Sequence, residues 1–475
     1  VAAGTADPNS NMYVRNLLVQ RAKVNLKASK NVTAYLDTAN LNSLDTSTVV
    51  GLDMNSSANA VGRSDTQINL EAGSSGNADR TDAGSGAVGL FINYGEAKID
   101  NGAKINVEKS GLNDANAKAV GVYAVNGSKV TNNGTIDVAG KESIGLLGVA
   151  YRTGTNGKLV VDEFGTGAVG QGKVNIVNKG SISLDAQGAT GMFAKNNKTG
   201  TTFTNATALN DTTGVITTTG TKAVGMAGEK ANIINRGTIN VNGQKGTGMF
   251  AESSSRIENS GTINIVAASS ANEPNIGIFT EDKNTEIHNN KDIIGGNNTY
   301  GIYGKTINMG TNGKIKVGDN SVAIYSNGQY ASSASPTITL ASGSLIEIGK
   351  NQSVGVFTTG KNQNISSQAD MKIGDNSFGY VLKGRGTKLT TNATNPVTVG
   401  NDTVFIYSTD TTGNIENRTR LTSTGSSNYG IYAAGNVTNL ADMDFSSGVG
   451  NVGMYSISGG KIVNGSSTVN PTIKV

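Results

Sequence analysis

The chain has 475 residues, of which 64 are glycine and 5 proline, with no cysteine, no tryptophan and one histidine, His288. Its formal net charge of +4 is spread without any run of five Lys or Arg, so nucleic-acid binding lacks an electrostatic footprint. The missing cysteines exclude disulfides and thiolate metal sites, the lack of a three-residue glycine period excludes collagen, and regularly recurring Val, Ile and Leu argue against disorder.

Residues 1–10 carry neither a basic n-region nor a long apolar stretch, and no apolar run reaches the ~18 residues of a membrane helix. Residues 1–80 read as an atypical N-terminal region, a cap or degenerate repeats. Within it, residues 12–26 suit a short helix or a strand, and Val50-Gly51-Leu52-Asp53-Met54 and Gln67-Ile68-Asn69-Leu70 suit degenerate coils. Terminal coils of repeat proteins are often irregular, because an open sheet edge needs protection.

From residue 81 to residue 475 a repeat takes over. Its first element is a strand of the form Val/Ala-Gly-Met/Ile/Val-Phe/Tyr-small. It begins as Val88-Gly89-Leu90-Phe91 and continues as Val120-Gly121-Val122-Tyr123-Ala124 and Thr190-Gly191-Met192-Phe193-Ala194. It runs on through Tyr300-Gly301-Ile302-Tyr303, Val322-Ala323-Ile324-Tyr325-Ser326 and Tyr429-Gly430-Ile431-Tyr432-Ala433 to Val452-Gly453-Met454-Tyr455-Ser456. Phe378-Gly379-Tyr380 and Val404-Phe405-Ile406-Tyr407 are weaker copies. Successive copies mostly lie 22 to 26 residues apart. Between them falls Asn-x-Gly-Thr/Ser-Ile-x-Val/Leu/Ile, as in Asn132-Asn133-Gly134-Thr135-Ile136-Asp137-Val138, preceded by an alternating segment that ends in Asn. Turns such as Gly318-Asp319-Asn320-Ser321 and Gly374-Asp375-Asn376-Ser377 lead into the glycine strand, and these residue types tolerate positive φ.

Three short strands in about 24 residues predict an all-β fold, a right-handed single-stranded parallel β-helix whose coils stack at ~4.8 Å. In the glycine strand, alternation places the residue before Gly, the residue after it and the final small residue inside. It places Gly and the ring outside. The outer rings would then form a ladder: Phe91, Tyr123, Phe193, Phe250, Phe279, Tyr303, Tyr325, Phe357, Tyr407, Tyr432 and Tyr455. Alternation alone also permits the opposite facing; free exchange of Phe and Tyr favours the outer one.

On the Gly-Met/Ile-Phe/Tyr strand, the Asn-x-Gly-Thr-Ile-x-Val strand and the absence of cysteine, residues 84–475 resemble the passenger of large fusobacterial-type autotransporter adhesins of the monomeric class. The resemblance implies a fragment of a longer surface fibre, monomeric, held at the outer membrane only through a C-terminal barrel outside this chain. It implies partners among host-cell glycans, host protein receptors and other bacteria, with no cofactor and no catalysis. It assigns no binding residue.

Glycoside hydrolysis needs carboxylates converging on one cleft, whereas Asp137, Asp185, Glu252, Glu258, Asp319 and Asp375 are scattered, and the last two fall in equivalent turns. Asp402 and Asp410 near Arg418 and Arg420 are a weak lyase-type set. His288 has no second His or Cys to complete a metal or triad site. Gly384-Arg385-Gly386 opens no helix and is no phosphate loop. Two features remain for binding. One is the ladder, with Tyr123, Tyr303, Tyr325, Tyr407, Tyr432 and Tyr455 as its tyrosines. The other is a set of inserted loops at 150–167, 195–214, 327–336 and 408–426, the first holding Tyr151, Arg152, Lys158 and Phe164.

Overall fold

The computed structural model describes residues 23–26, 31–33, 66–70, 75–78, 88–93, 95–107, 119–125, 128–150, 173–197, 202–332 and 335–475. The chain divides into two compact units, Val1–Arg256 and Ile257–Val475. Each is a right-handed parallel β-helix whose coils visit three sheets in turn.

In the first unit, one sheet orders Gly95–Ile99, Lys129–Asn132, Val174–Asn178, Ala206–Asn210 and Asn232–Asn235. A second orders Lys104–Val107, Thr135–Val138, Ser181–Leu184, Val215–Thr218 and Thr238–Val241. The glycine strands form the third: Val88–Asn93, Val120–Val125, Ile144–Ala150, Thr190–Asn196, Val224–Glu229 and Thr247–Glu252. Short strands at Lys23–Leu26 and Thr66–Leu70 join the first sheet, and Asn31–Thr33 and Ser75–Ala78 join the second. Residues 50–54 lie outside the described residues.

Register keeps like residues stacked. Ile136 lies over Ile182 and Val138 over Leu184, all essentially buried, as the second motif predicts. At the end of the first sheet's strands the Asn side chains also turn inward. Asn132 donates to Asn178, Asn178 to Asn210 and Asn210 to Asn235, each at 2.8 Å and fully buried. The spare amide hydrogens and oxygens serve the turn, as when Asn132 accepts from the Gly134 N–H at 3.1 Å. A buried amide is tolerable only when its hydrogen-bonding groups are met, and this column meets them coil by coil.

The glycine strand departs from the expected alternation. Burial from Thr190 to Ala194 runs half-buried, buried, buried, half-buried, buried. Gly191 and Met192 are therefore both inside, while Thr190 before the glycine and Phe193 after it are outside. Strand pairing skips the glycine, linking Ile144 to Thr190 and then Leu146 to Met192. A Cβ at Gly191 would meet Ile216 Cγ2 at 3.2 Å and the Gly225 carbonyl at 2.5 Å. Strict alternation breaks at this residue, and the second sheet's isoleucine packs where a side chain would stand. The expectation that Gly faces out and its predecessor in is thus reversed. The residue after Gly, the ring and the small residue face as expected.

In the second unit the glycine strands are Asn275–Phe279, Thr299–Tyr303, Val322–Ser326, Val354–Thr358, Phe378–Leu382, Val404–Ser408, Tyr429–Ala433 and Val452–Ser456. The Asn column is interrupted here. Asn289, Met309, Leu340, Ser367, Thr391, Asn417 and Asn439 follow one another in register. The second sheet stops at Asp370–Ile373, and a separate four-stranded sheet begins at Val397–Val399. Pro396 stands at that start with no N–H to donate, and Asp370 instead accepts the Asn395 amide at 3.1 Å.

Turns before several glycine strands of this unit carry a left-handed residue, among them Asn298, Asn320, Asn376, Asp402 and Ser427, at φ 52–61°. Each sends its N–H to a carbonyl of the following coil, as from Asn320 to Lys350 at 3.1 Å. Asn and Asp visit this region at least cost among side-chain-bearing residues, which explains the Gly-Asp-Asn-Ser signature.

Candidate functional site

The outer face of the glycine-strand sheet holds the rings. In the second unit, register stacks Phe279, Tyr303, Tyr325, Phe357, Val381, Tyr407, Tyr432 and Tyr455 in one column. A second column, from the residue preceding each glycine position, runs beside it through Tyr300, Val322, Val354, Phe378 and Tyr429. Val322, Val354 and Val381 are buried beneath Tyr300, Tyr325, Phe357, Phe378 and Tyr407, so the outside of the sheet carries an apolar layer of its own. Where Val381 leaves the column without a ring, Phe378 reaches across to Tyr407 at 5.9 Å.

The rings spend their faces on one another. Tyr407, Tyr432 and Tyr455 stack nearly parallel, with centroids 5.4 and 5.1 Å apart. Tyr303 and Tyr325 are 4.7 Å apart, Tyr325 meets Phe357 edge-on at 5.4 Å, and Lys383 sits 5.5 Å above the Phe357 ring. Most of the column is half-buried, and Tyr455 is the most open at 48%. A stack of this kind presents hydroxyl-bearing edges rather than the open faces on which a sugar ring would lie.

Some hydroxyls are also committed. Tyr303 donates to Glu281 at 2.5 Å and accepts from Asn327 at 3.1 Å, and Tyr325 shares a 3.1 Å bond with Thr359. Burial and the Glu281 bond push the Tyr303 hydroxyl well above the ordinary phenol range. Glu281 falls below the usual carboxylate range: partial burial opposes this, and the hydrogen bonds from Tyr303 and Lys305 outweigh it.

The remaining candidate residues fall as follows. Tyr123 holds a ladder position, with Leu147 as a column neighbour, and is only 2% exposed. The side chain of Phe91, and Tyr151, Arg152, Lys158 and Phe164 with the 150–167 loop, lie outside the described residues. The segment 195–214 contains the regular strand Ala206–Asn210, and 408–426 contains Asn414–Asn417 and Leu421–Ser423. The second is an ordinary coil, and the first carries a coil strand after a longer connection than the one between Val224–Glu229 and Asn232–Asn235. Inside that strand the inward positions are the small Ala206 and Ala208, so it lacks the Val and Ile alternation of its neighbours. Residues 327–332 do leave the sheet, and Tyr330 fastens them, its hydroxyl donating to the Lys305 carbonyl at 2.5 Å.

Asp319, Asp375 and Asp410 serve the turns. Asp319 accepts the Lys350 amide at 2.8 Å and Asp375 the Asn401 amide at 3.0 Å. Asp410 accepts the Thr387 and Thr412 amides at 2.8 and 2.9 Å, and it stands at the far end of Val404–Ser408 from Asp402. Arg418 pairs with Glu416, and His288 with Glu286 at 3.1 Å. Among the described residues no group of three His, Cys, Asp or Glu could hold a metal ion.

Two features went unread in the sequence: the buried Asn column, and a polar corner formed by Glu281, Lys305 and Asn327. Both are visible only as an offset repeated from coil to coil.

A search of curated proteins finds no match. Residues 227–292 match the family described as the BigA third pectate lyase-like domain. That match supports an autotransporter-passenger-like, β-helical protein.

Proposed function

We propose that this chain is a segment of the β-helical passenger of a bacterial surface adhesin, exposed outside the cell, monomeric and without catalysis. The observation that carries the reading is the family match over residues 227–292, which falls within the repeating coil. Its partner is a host-cell surface glycan or protein receptor, or another bacterium, met through turns and hydroxyl edges on a rigid scaffold. Anchoring to the outer membrane through a C-terminal barrel, in a fusobacterial-type fibre, belongs to the same proposal. The test is binding of the purified chain to host cells, partner bacteria and a glycan array. Saturable binding supports the adhesin reading, and turnover of any polysaccharide would replace it with a carbohydrate-active enzyme.

A second reading, a spacer in the same fibre, is favoured by one observation: the tyrosine faces are turned toward one another. A folded chain that binds none of these targets supports the spacer.

A further inference from the structure

Register places Glu281, Lys305 and Asn327, each two residues past a ring of the column, at one position in three successive coils. Their side chains converge. Lys305 Nζ lies 3.1 Å from Glu281 Oε2 and also reaches the Glu281 carbonyl. Asn327 Nδ2 lies 3.5 Å from the same Glu281 Oε2 and 3.1 Å from the Tyr303 hydroxyl. The Asn327 Oδ1 is buried with no hydrogen-bond partner. Tyr303 walls one side, and Tyr330, held to the Lys305 carbonyl, walls the other. The Lys305 side chain is only 18% exposed, whereas Glu281 is 51% exposed and opens to solvent.

We propose that this corner forms an intramolecular amide between the Lys305 Nζ and the Asn327 Cγ. An amine, a carboxamide and a carboxylate held together turn a very slow reaction between separate molecules into one favoured by proximity. The Lys305 ammonium passes one proton to the Glu281 carboxylate that it touches. The free amine attacks Asn327 Cγ, and negative charge develops on the buried Oδ1 as the tetrahedral intermediate forms. Glu281 returns the proton to Nδ2 as the Cγ–Nδ2 bond breaks. One C–N bond forms and one breaks, the nitrogen and the surplus proton leave together as ammonium, and no oxidant is needed. The product clamps two neighbouring coils beside the Tyr303–Tyr325 contact. This inference is independent of what the chain binds.

The test is intact-mass measurement and peptide mapping of the purified full chain after prolonged incubation. The expected result is a mass lower by one ammonia and a branched peptide joining the segments around residues 305 and 327. Lys305→Arg keeps a cation beside Glu281 and should restore the full mass; Glu281→Gln should do so as well. An unmodified mass in the folded chain overturns the proposal. So does an ammonia loss that persists in Lys305→Arg, which would assign it to ring closure at Asn327-Gly328.

Discussion

Between Asn132 and Asn235 the first unit closes its interior corner with a line of amides, whereas between Ser367 and Phe405 the second unit closes its interior with rings. In the first region each Asn occupies the same place and bonds to the next at 2.8 Å. In the second region that place holds Ser367 and then Thr391. The smaller Ser367 makes room for Tyr380, fully buried, whose hydroxyl donates to Ser367 Oγ at 2.7 Å. Phe405 takes the usual glycine position of the next coil and meets Tyr380 edge-on at 5.5 Å. The two solutions fill one architecture, and they teach that the column residue and the inward residue of the glycine strand are chosen together.

The comparison can be broken most severely at the rings. Phe405→Ala should cost about 3–5 kcal/mol, read from denaturant unfolding, because a fully buried aromatic leaves a cavity that neighbouring coils close only in part. A loss under 1 kcal/mol would mean that the coils collapse freely. Next comes Asn178→Ala in the amide line. It strips Asn132 of its acceptor and Asn210 of its donor, so about 2–3 kcal/mol should be lost. Ser367→Asn and Tyr380→Ile sharpen the contrast. Each alone should destabilise, and together they should recover about 1 kcal/mol or more, as coupled neighbours do; strict additivity would refute the idea that the two sites are chosen together.

The smallest effect is Tyr380→Phe, about 1 kcal/mol near neutral pH, from the lost bond to Ser367. It has a pH signature. Burial raises the Tyr380 hydroxyl far above its ordinary range, and the Ser367 bond offsets only part of this. The unfolded phenol gives up its proton near pH ~10, while the folded one keeps it. Stability therefore falls as pH rises past that point, and Tyr380→Phe should fall less steeply in melts across the alkaline range.

The coil itself was legible because a three-strand repeat with Gly, Asn and Asp turns has few other folds open to it. The inward Ile136 and Val138 followed from simple alternation, and Asn320 and Asn376 from turn chemistry. The facing of Gly191 did not follow, because period-two reasoning assumes unbroken alternation. The inward Asn column did not follow either, since a polar residue ending a strand ordinarily faces water. The tyrosine column was legible as a ladder, yet its mutual stacking and the Glu281–Lys305–Asn327 corner depend on contacts between residues 22 or more positions apart. Those positions become neighbours only once the register is known.

The stop in the second sheet has a mechanical consequence. Between the coil of Asp370–Ile373 and that of Val397–Val399, two sheets carry continuous strand pairing and the third does not. Tension along the stack is shared by fewer backbone bonds at this plane than at its neighbours. Pulled from its ends in a force spectrometer, the second unit should part first here, at the seam that Pro396 opens.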